Sequence, residues 1–396
     1  MGLGIGIFIF QKRLTTSLKN GLIHIPIYPK TLGNTLKERK LARFYNAHQE
    51  SFQLTKIFAL TTRGLESISA AEIAELTGVS ITETSYRRIA AECSGSLAPL
   101  LTLRTVDDVY LDLAHWDAVF HTRDMLAQFN AWSDHLDVPQ AAAEIRTIRP
   151  IPEKPVFSVS VSFIGKRNYS ADEVKTSVAD SIIYNHGWTY TPDDREANLN
   201  IRIFIEHEEG YVGIRLGSHA QHERLYKMVE RPGALKPTVA NAMLRLVDVQ
   251  AGQRLLDPCC GSGTILIEAA LMGASVQGGD NDPDAVKATL QNMKDAGVQG
   301  QIEQWDARVL PLRDGSNKCI VTNLPWGRQT FVNEELGSFY TQVCGEMERI
   351  IASDGRIAIL TSTPHLLHFN YLQLIQSLEI SLFGQNPTIS VYGATR

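Results

Sequence analysis

A predicted strand that turns at two glycines and continues into a helix constrains this chain more than any other feature. Residues 254–257 predict the strand, and the segment DPCCGSGT follows at residues 257–264. Gly261 and Gly263 let the backbone turn tightly and approach a ligand, and the start of the helix offers free N–H groups. Leu266 replaces the third glycine of a dinucleotide fingerprint, so a pyrophosphate-binding site is disfavoured.

From residue 252 onward, strand and helix patterns alternate, which predicts a parallel sheet with helices on both faces. The predicted strands are 254–257, 275–279, 301–304, 319–323, 356–361, 378–383 and 388–392. The predicted helices are 264–272, 283–296, 336–352 and 365–377. Seven strands with a closing pair at the end are the plan of the Rossmann-like methyltransferases. The fold class is therefore α/β.

Acidic residues end three successive predicted strands of this segment. Asp257, Asp280 and Asp306 hold these positions, where the ligands of open α/β sheets bind. We expect Asp257 to meet a cationic amine such as that of methionine, Asp280 the ribose hydroxyls and Asp306 the adenine amine. Capping of helices explains Asp282 and does not explain three strand ends. The predicted cofactor is S-adenosylmethionine.

The segment NLPWG at residues 323–327 is the more specific signal. The Asn323 side-chain carbonyl and the Leu324 backbone carbonyl can accept the hydrogens of an exocyclic amine on a base. Pro325 stiffens the loop, and Trp326 offers a face for the base to stack on. This arrangement predicts methyl transfer to an amino nitrogen, accelerated mainly by positioning. An ordinary strand exit with a packed tryptophan is the alternative interpretation.

These patterns give the predicted site. The predicted catalytic residues are Asn323, Leu324, Pro325 and Trp326. The predicted cofactor-binding residues are Asp257, Cys259, Gly261, Gly263, Thr264, Asp280, Asn281, Asp306, Ala307 and Asn323. No zinc-ligand spacing is present, so no metal is predicted.

The first half of the chain has a different organisation. Residues 1–50 show no clear periodicity and predict an extension. Residues 58–76 predict a strand, a turn and a helix, and residues 156–164 alternate as a half-buried strand does. A capping box at Ser170–Glu173 predicts a helix to about His186, followed by strands at 199–206 and 211–216. The predicted domains are an α+β region over 51–216, a linker over 217–250 and the α/β domain over 251–396.

Net charge and cysteine content limit which partners and which cellular compartment we expect. The formal net charge is −5, which is not the basic balance of many nucleic-acid binders. Residues 1–50 nevertheless hold eight lysines and arginines against two glutamates. A second basic group comprises Arg215, Arg224, Lys227, Arg231 and Lys236. Charge alone leaves a solvated surface and RNA contact equally open. Five cysteines without a disulfide framework predict a reducing cytoplasm, and no apolar run is long enough to span a membrane.

The two motifs together resemble those of the THUMP-domain RNA guanine-N2 methyltransferases. The resemblance extends over residues 57–396, with a ferredoxin-like opening near Phe58, a THUMP-like region over about 155–216 and a linker that includes residues 222–226 and 233–240. Cys259 and Trp326 depart from the family's usual residues. The resemblance implies a THUMP unit that binds the acceptor end of tRNA and methylation of one guanine amine, at position six of the acceptor stem.

The resemblance also implies tRNA as the partner, without DNA or a membrane, and a monomer; an activating subunit is left open. A target inside a stem must be turned out of the base stack, and the linker cations would hold phosphates by shape. Two alternatives remain: a ribosomal RNA guanine-N2 methyltransferase and a non-catalytic THUMP RNA-binding factor. A DNA adenine or protein glutamine methyltransferase shares the Asn-x-Pro-aromatic loop, but the THUMP-like half argues against both. A thiouridine synthetase is disfavoured because its nucleotide-binding loops are absent.

Overall fold

Two sheets organise the chain in a computed structural model that describes residues 54–327 and 336–394. Residues 1–50, predicted as an extension, lie outside the described part. The first sheet contains β1 (Thr55–Leu60), β2 (Val79–Ser85), β3 (Arg88–Cys93), β4 (Asp108–Trp116), β5 (Val156–Phe163), β6 (Thr189–Tyr190), β7 (Leu199–Glu206) and β8 (Glu209–Arg215). Its helices are α1 (Glu66–Ala74), α2 (Met125–Ser133), α3 (Val138–Ile145) and α4 (Ala171–His186).

The first sheet has the strand order β2-β3-β1-β4-β8-β7-β5-β6. Its apolar side chains from β1, β4, β5, β7 and β8 pack with those of the helices into one buried cluster. Helix α4 begins as the sequence predicts. The Ser170 hydroxyl accepts the Glu173 N–H, and the Glu173 carboxylate accepts the Ser170 N–H. The helix ends at Gly187, whose φ of 63° is left-handed, as expected for a C-terminal glycine.

The second sheet carries the predicted α/β pattern. Its strands are β9 (Arg254–Asp257), β10 (Ser275–Asp280), β11 (Gln301–Gln304), β12 (Asn317–Asn323), β13 (Ile351–Thr361), β14 (Gln373–Glu379) and β15 (Thr388–Gly393). The helices are α5 (Pro237–Leu246), which precedes the sheet, α6 (Thr264–Leu271), α7 (Pro283–Asp295) and α8 (Leu336–Ile350). No helix within the described ranges is both long and apolar enough to cross a membrane.

The second sheet has the strand order β11-β10-β9-β12-β13-β15-β14. Strands β9 to β13 pair in parallel, and β15 pairs antiparallel with both β13 and β14. The order reverses between β9 and β12, which follow each other in space and not in the chain. Such a reversal opens a crevice outside the carboxyl ends of the strands, where ligands of this fold bind. The α/β fold class is confirmed.

The helix predicted over residues 365–377 is wrong. The chain forms a short 3-10 turn at Pro364–Leu366 and then strand β14, which pairs with β15 from Gln373 to Glu379. The strand predicted over 378–383 is also misplaced, because residues 380–387 lie in the connection between β14 and β15. Pairing along the exposed edge of β15 satisfies backbone groups, and this tertiary contact outweighs helix propensity.

A buried carboxylate joins the two sheets' domains. Glu268, on α6, has no exposed surface. Its oxygens accept hydrogen bonds from Arg104 Nε at 2.8 Å, Arg224 Nε at 3.1 Å, Tyr226 Oη at 2.6 Å and Asn241 Nδ2 at 3.4 Å. Arg104 precedes β4 of the first sheet, whereas α6 follows the glycine turn of the second. Glu268 therefore fixes the first domain and the linker to the helix behind the glycine turn.

Replacement of Glu268 by Ala is expected to lower the free energy of unfolding by about 3–5 kcal/mol, because two partly buried guanidinium groups lose their fully buried partner. Urea unfolding followed by circular dichroism measures this change. The exposed Glu230, which pairs with Lys227, is the matched control. Glu230→Ala is expected to change stability by less than about 0.5 kcal/mol. Equal losses in the two variants would contradict the assigned role of Glu268.

Candidate active site

The two glycines of the turn after β9 serve different purposes. Gly263 has a φ of 84° and precedes α6, and a Cβ there would lie 2.7 Å from Thr289 Cγ2. Gly261 has a φ of 56°, and a Cβ there would meet no atom within 4 Å. Gly263 is thus required by packing against α7. Gly261 leaves open space on the cavity side, where a ligand can approach the backbone.

Two aspartates at strand ends hold this turn. Asp280 accepts the Gly261 N–H at 2.9 Å and the Asp282 N–H at 3.1 Å. Asp257 accepts the Cys259 N–H at 3.2 Å and is 1% exposed. Burial raises the pKa of both carboxyl groups, that of Asp257 to about 7. The buried Asp257 is suited to bind an ammonium group, because a cation beside the carboxyl favours its charged form.

Asp306 lies in a different electrostatic environment. Its carboxylate accepts the backbone N–H of Arg308 at 2.9 Å and the guanidinium Nη2 of the same residue at 2.6 Å. These hydrogen bonds lower the pKa of Asp306. Ala307 beside it is buried. The predicted contact of Asp306 with an adenine amine stays a prediction, and Arg308 is an addition that the sequence did not indicate.

The loop after β12 holds the amide at the end of the strand. Trp326 Nε1 donates to Asn323 Oδ1 at 3.1 Å, and Asn323 Nδ2 donates to the Gly233 carbonyl at 3.4 Å. The Pro325 carbonyl accepts the Tyr340 hydroxyl at 3.0 Å. The Asn323 oxygen retains a second lone pair for a substrate amine. Trp326 therefore orients the Asn323 amide, in addition to the stacking face predicted for it.

One cavity of about 540 Å³ connects the glycine turn to the Asn323 loop. Its volume is typical of sites for small ligands. The predicted residues that line it are Asp257, Cys259, Gly261, Thr264, Asp280, Asn281, Asp306, Ala307, Asn323, Leu324, Pro325 and Trp326. Gly263 is absent from this lining, and it packs against Thr289 of α7 behind the cavity wall. The buried carboxyls, the open side of Gly261 and the cavity size fit S-adenosylmethionine.

Sequence reasoning missed part of the cavity wall. The additional lining residues that lie outside the motifs include Arg231, Pro232, Gly233, Ala234, Leu235, Arg308, Phe339, Leu382 and Phe383. The linker supplies five of them, and Arg231 pairs with Asp282 at the start of α7. These segments lie far from the motifs in sequence, and their contacts depend on the packing of the linker and the last hairpin. The sequence held one signal for this wall: Phe383 precedes Gly384, a residue that often marks a turn.

The cations predicted to bind RNA are mostly engaged inside the protein. Arg215 is 5% exposed and pairs with Asp108 and Asp194, and Arg224 pairs with the buried Glu268. The prediction of RNA contact is corrected for these two residues. If they bound phosphate instead, the buried carboxylates of Asp108 and Glu268 would lose their cationic partners. Lys227, Arg231 and Lys236 are also paired with acidic residues but keep partial exposure.

A parallel sheet with this strand order, a glycine turn after its first strand and an Asn-x-Pro-aromatic loop after its fourth defines an S-adenosylmethionine-dependent methyltransferase domain. Residues 224–370 match the UPF0020 family, described as the RMKL-like methyltransferase domain. The crystal structure of TrmN from Thermus thermophilus has the same fold. It has a TM-score of 0.71 and 24% identity, and the match covers 86% of this chain and 100% of that one.

Curated relatives extend the comparison. The human U6 snRNA (guanine-N(2))-methyltransferase THUMPD2 is 34% identical over 206 residues, which are 51% of this chain and 39% of that protein. The chain therefore matches well under two thirds of that relative's length. The tRNA (guanine(6)-N2)-methyltransferase of Thermus thermophilus is 29% identical over 261 residues, covering 65% of this chain and 76% of that protein. The resemblance to THUMP-containing guanine-N2 methyltransferases that the sequence predicts is confirmed.

Gly261→Ala is expected to weaken S-adenosylmethionine binding at least tenfold, because the new methyl group enters the open space beside the backbone. Isothermal titration calorimetry measures the affinity. Gly297→Ala is the matched control: its φ is 68°, and a Cβ there also meets nothing within 4 Å, but Gly297 lies outside the cavity lining. Both variants are expected to lose about 1 kcal/mol of stability from the left-handed backbone. Unchanged affinity in Gly261→Ala would contradict the assigned cofactor approach.

The raised pKa of Asp257 predicts a pH dependence of stability. The folded pKa is about 7, and that of an unfolded Asp is about 3.9. The folded state therefore binds the extra proton between about pH 4 and pH 7. Stability falls as pH rises through this window, by at most about 1.4 kcal/mol per unit.

Asp257→Asn mimics the protonated carboxyl and removes this contribution. Urea unfolding of both proteins at pH 5, 6, 7 and 8 measures it. The variant's stability relative to that of the parent protein is expected to increase from pH 5 to pH 7 and then level off. A difference that is constant with pH would show that Asp257 keeps an ordinary pKa.

Proposed function

We propose that this protein transfers a methyl group from S-adenosylmethionine to the exocyclic N2 amine of a guanosine in tRNA, at position six of the acceptor stem. The observation that carries the proposal is the Asn323 amide at the cofactor cavity, held by Trp326 and the Gly233 carbonyl. The tRNA assignment is supported by the relative from Thermus thermophilus, which is matched over 76% of its length and is named a tRNA (guanine(6)-N2)-methyltransferase.

The chain's own groups position the amine. The Asn323 Oδ1 and the Leu324 carbonyl accept the two hydrogens of the amine, which aims the nitrogen lone pair into the cavity. Leu324 is fixed because its N–H donates to the Leu360 carbonyl at 3.2 Å. When bound, S-adenosylmethionine supplies an electrophilic methyl group, and the products are N2-methylguanosine, S-adenosylhomocysteine and a proton. The residues contribute orientation, which is the main source of acceleration in this site.

The RNA surface includes the partly exposed cations around the cavity. Lys227, Arg231 and Lys236 remain candidates for phosphate contact, at the cost of exchanging their carboxylate partners. The five cysteines are free, which supports a reducing compartment such as the cytoplasm. We propose that the protein acts there as a monomer on RNA.

The substrate class is tested with radiolabelled S-adenosylmethionine and separate pools of tRNA, U6 snRNA, ribosomal RNA, DNA and protein. Product nucleosides are identified after digestion. N2-methylguanosine from tRNA is the expected result. The same nucleoside from U6 snRNA or ribosomal RNA would keep the chemistry and replace the substrate. Absence of label in every pool, with tRNA binding intact, would favour the non-catalytic RNA-binding alternative.

Asn323→Ala is expected to lower the turnover of RNA methylation at least 100-fold, because the amine loses its main acceptor and its orientation. Affinity for S-adenosylmethionine and for RNA is expected to stay within about threefold of the parent value. Trp326→Phe is the comparison in the same loop: it keeps an aromatic face but removes the Nε1 donor that orients the Asn323 amide, so turnover is expected to fall, by less than in Asn323→Ala. Full turnover in Asn323→Ala would refute the assigned mechanism.

A further inference from the structure

The connection between β14 and β15, residues 380–387, contains a two-residue turn with an unfavourable residue in it. Leu382 and Gln385 exchange two backbone hydrogen bonds, of 2.9 and 3.0 Å. The residues between them, Phe383 and Gly384, have φ values of 52° and 73°. Two positive φ angles define a type I′ turn, which strongly favours Asn-Gly. A phenylalanine in the left-handed region is an outlier for its residue type.

Burial does not compensate this conformation. The Phe383 side chain is 58% exposed, whereas its neighbours Ile380 and Leu382 are 1% and 5% exposed. Asparagine or glycine would satisfy the turn without a large apolar surface in water. Strained residues that persist without a packing benefit are characteristic of functional sites. The turn therefore presents an aromatic ring at a cost to stability.

Phe383 lines the cavity on the side that faces the last hairpin. It shares the lining with Trp326 and Phe339. In the sheet order, the cofactor-side strands β9, β10 and β11 lie on one side of β12, and β14 and β15 lie on the other. The carboxyl end of β14 pairs with the start of β15 at Glu379 and Thr388. This pair lies at the same edge of the sheet as Asn323, the last residue of β12. The ring thus lies on the side of Asn323 away from the cofactor aspartates.

The turn is also held rigidly against the first domain. The Ser381 N–H donates to the Arg63 carbonyl at 3.0 Å. Gly64 packs so closely on this connection that an added Cβ would lie 2.1 Å from the Glu379 carbonyl oxygen. The Arg63 side chain is 46% exposed and lies 3.9 Å from the Glu379 carboxylate. Phe383 is consequently placed where the first domain meets the cavity, with a cation beside the turn.

We propose that Phe383 stacks on the everted target nucleobase at the mouth of the cavity, and that Trp326 and Phe383 together determine how the base is held before Asn323. This inference rests on the proposed function, because it requires an RNA base as the substrate. An exposed ring is suited to this role, since every base offers a π-face and stacking contributes to single-stranded nucleic-acid binding. Turning a base out of a stem also requires a surface to receive it.

The test uses a substitution for which the two roles predict different outcomes. Phe383→Asn introduces the residue that a type I′ turn favours, so the melting temperature is expected to rise. The same variant is expected to lose tenfold or more in kcat/KM for RNA, because one base–aromatic stack is removed. Affinity for S-adenosylmethionine, measured by calorimetry, is expected to stay unchanged. Phe383→Tyr keeps the ring and is expected to retain activity, whereas Phe383→Leu is not.

His207→Asn is the matched control. His207 also has a left-handed φ, 54°, and is exposed in the turn between β7 and β8, outside the cavity lining. It is expected to raise stability without changing kcat/KM. Wild-type kcat/KM in Phe383→Asn would overturn the stacking role, and a matching loss of cofactor affinity would reassign Phe383 to the cofactor. If the unmodified protein methylates no RNA, the proposed function fails, and this inference fails with it.

Discussion

The site depends on one buried carboxylate more than on any residue that lines it. Glu268 lies on α6, the helix that begins at the glycine turn, and its oxygens accept hydrogen bonds from Arg104, Arg224 and Tyr226. A fully buried charge is tolerated only where donors surround it. The same contacts that satisfy Glu268 therefore fix the angle between the first domain and the catalytic sheet. A macromolecular substrate that spans both domains meets a single preformed surface.

Parallel strand pairing then brings the two motifs together. Strands β9 and β12 are neighbours, although more than fifty residues separate Asp257 from Asn323. The glycine turn and the Asn-x-Pro-aromatic loop leave the same edge of the sheet at its point of reversal, so a cofactor and an acceptor amine can share one cavity. The linker closes this cavity with the Gly233 carbonyl, which holds the Asn323 amide. Catalytic geometry is thus a consequence of strand order.

The last hairpin shows how stability and activity oppose each other in this fold. Its edge strand β14 carries Leu374 and Ile375, each 54% exposed, and its turn carries Phe383 in a left-handed backbone. Neither feature is explained by packing. A protein selected for stability alone would place asparagine in the turn and polar residues on the edge strand. Of these three residues, Phe383 lines the cavity, and its exposed ring agrees with contact to a substrate base.

The sequence by itself determined the α/β plan, the boundaries of most strands and the two motifs, because hydrophobic period, capping residues and glycine turns act over a few residues. Ser170 with Glu173, and Asp282 with Pro283, fixed helix starts that the structure confirms. Tertiary structure alone decided the strand at 373–379, the burial of Arg215 and the membership of Arg231 and Phe383 in the cavity. Each of these depends on partners distant in the chain: the edge of β15, Asp108, Asp282 and the turn at Gly64. Local propensity carries no information about such partners, so only packing could reveal them.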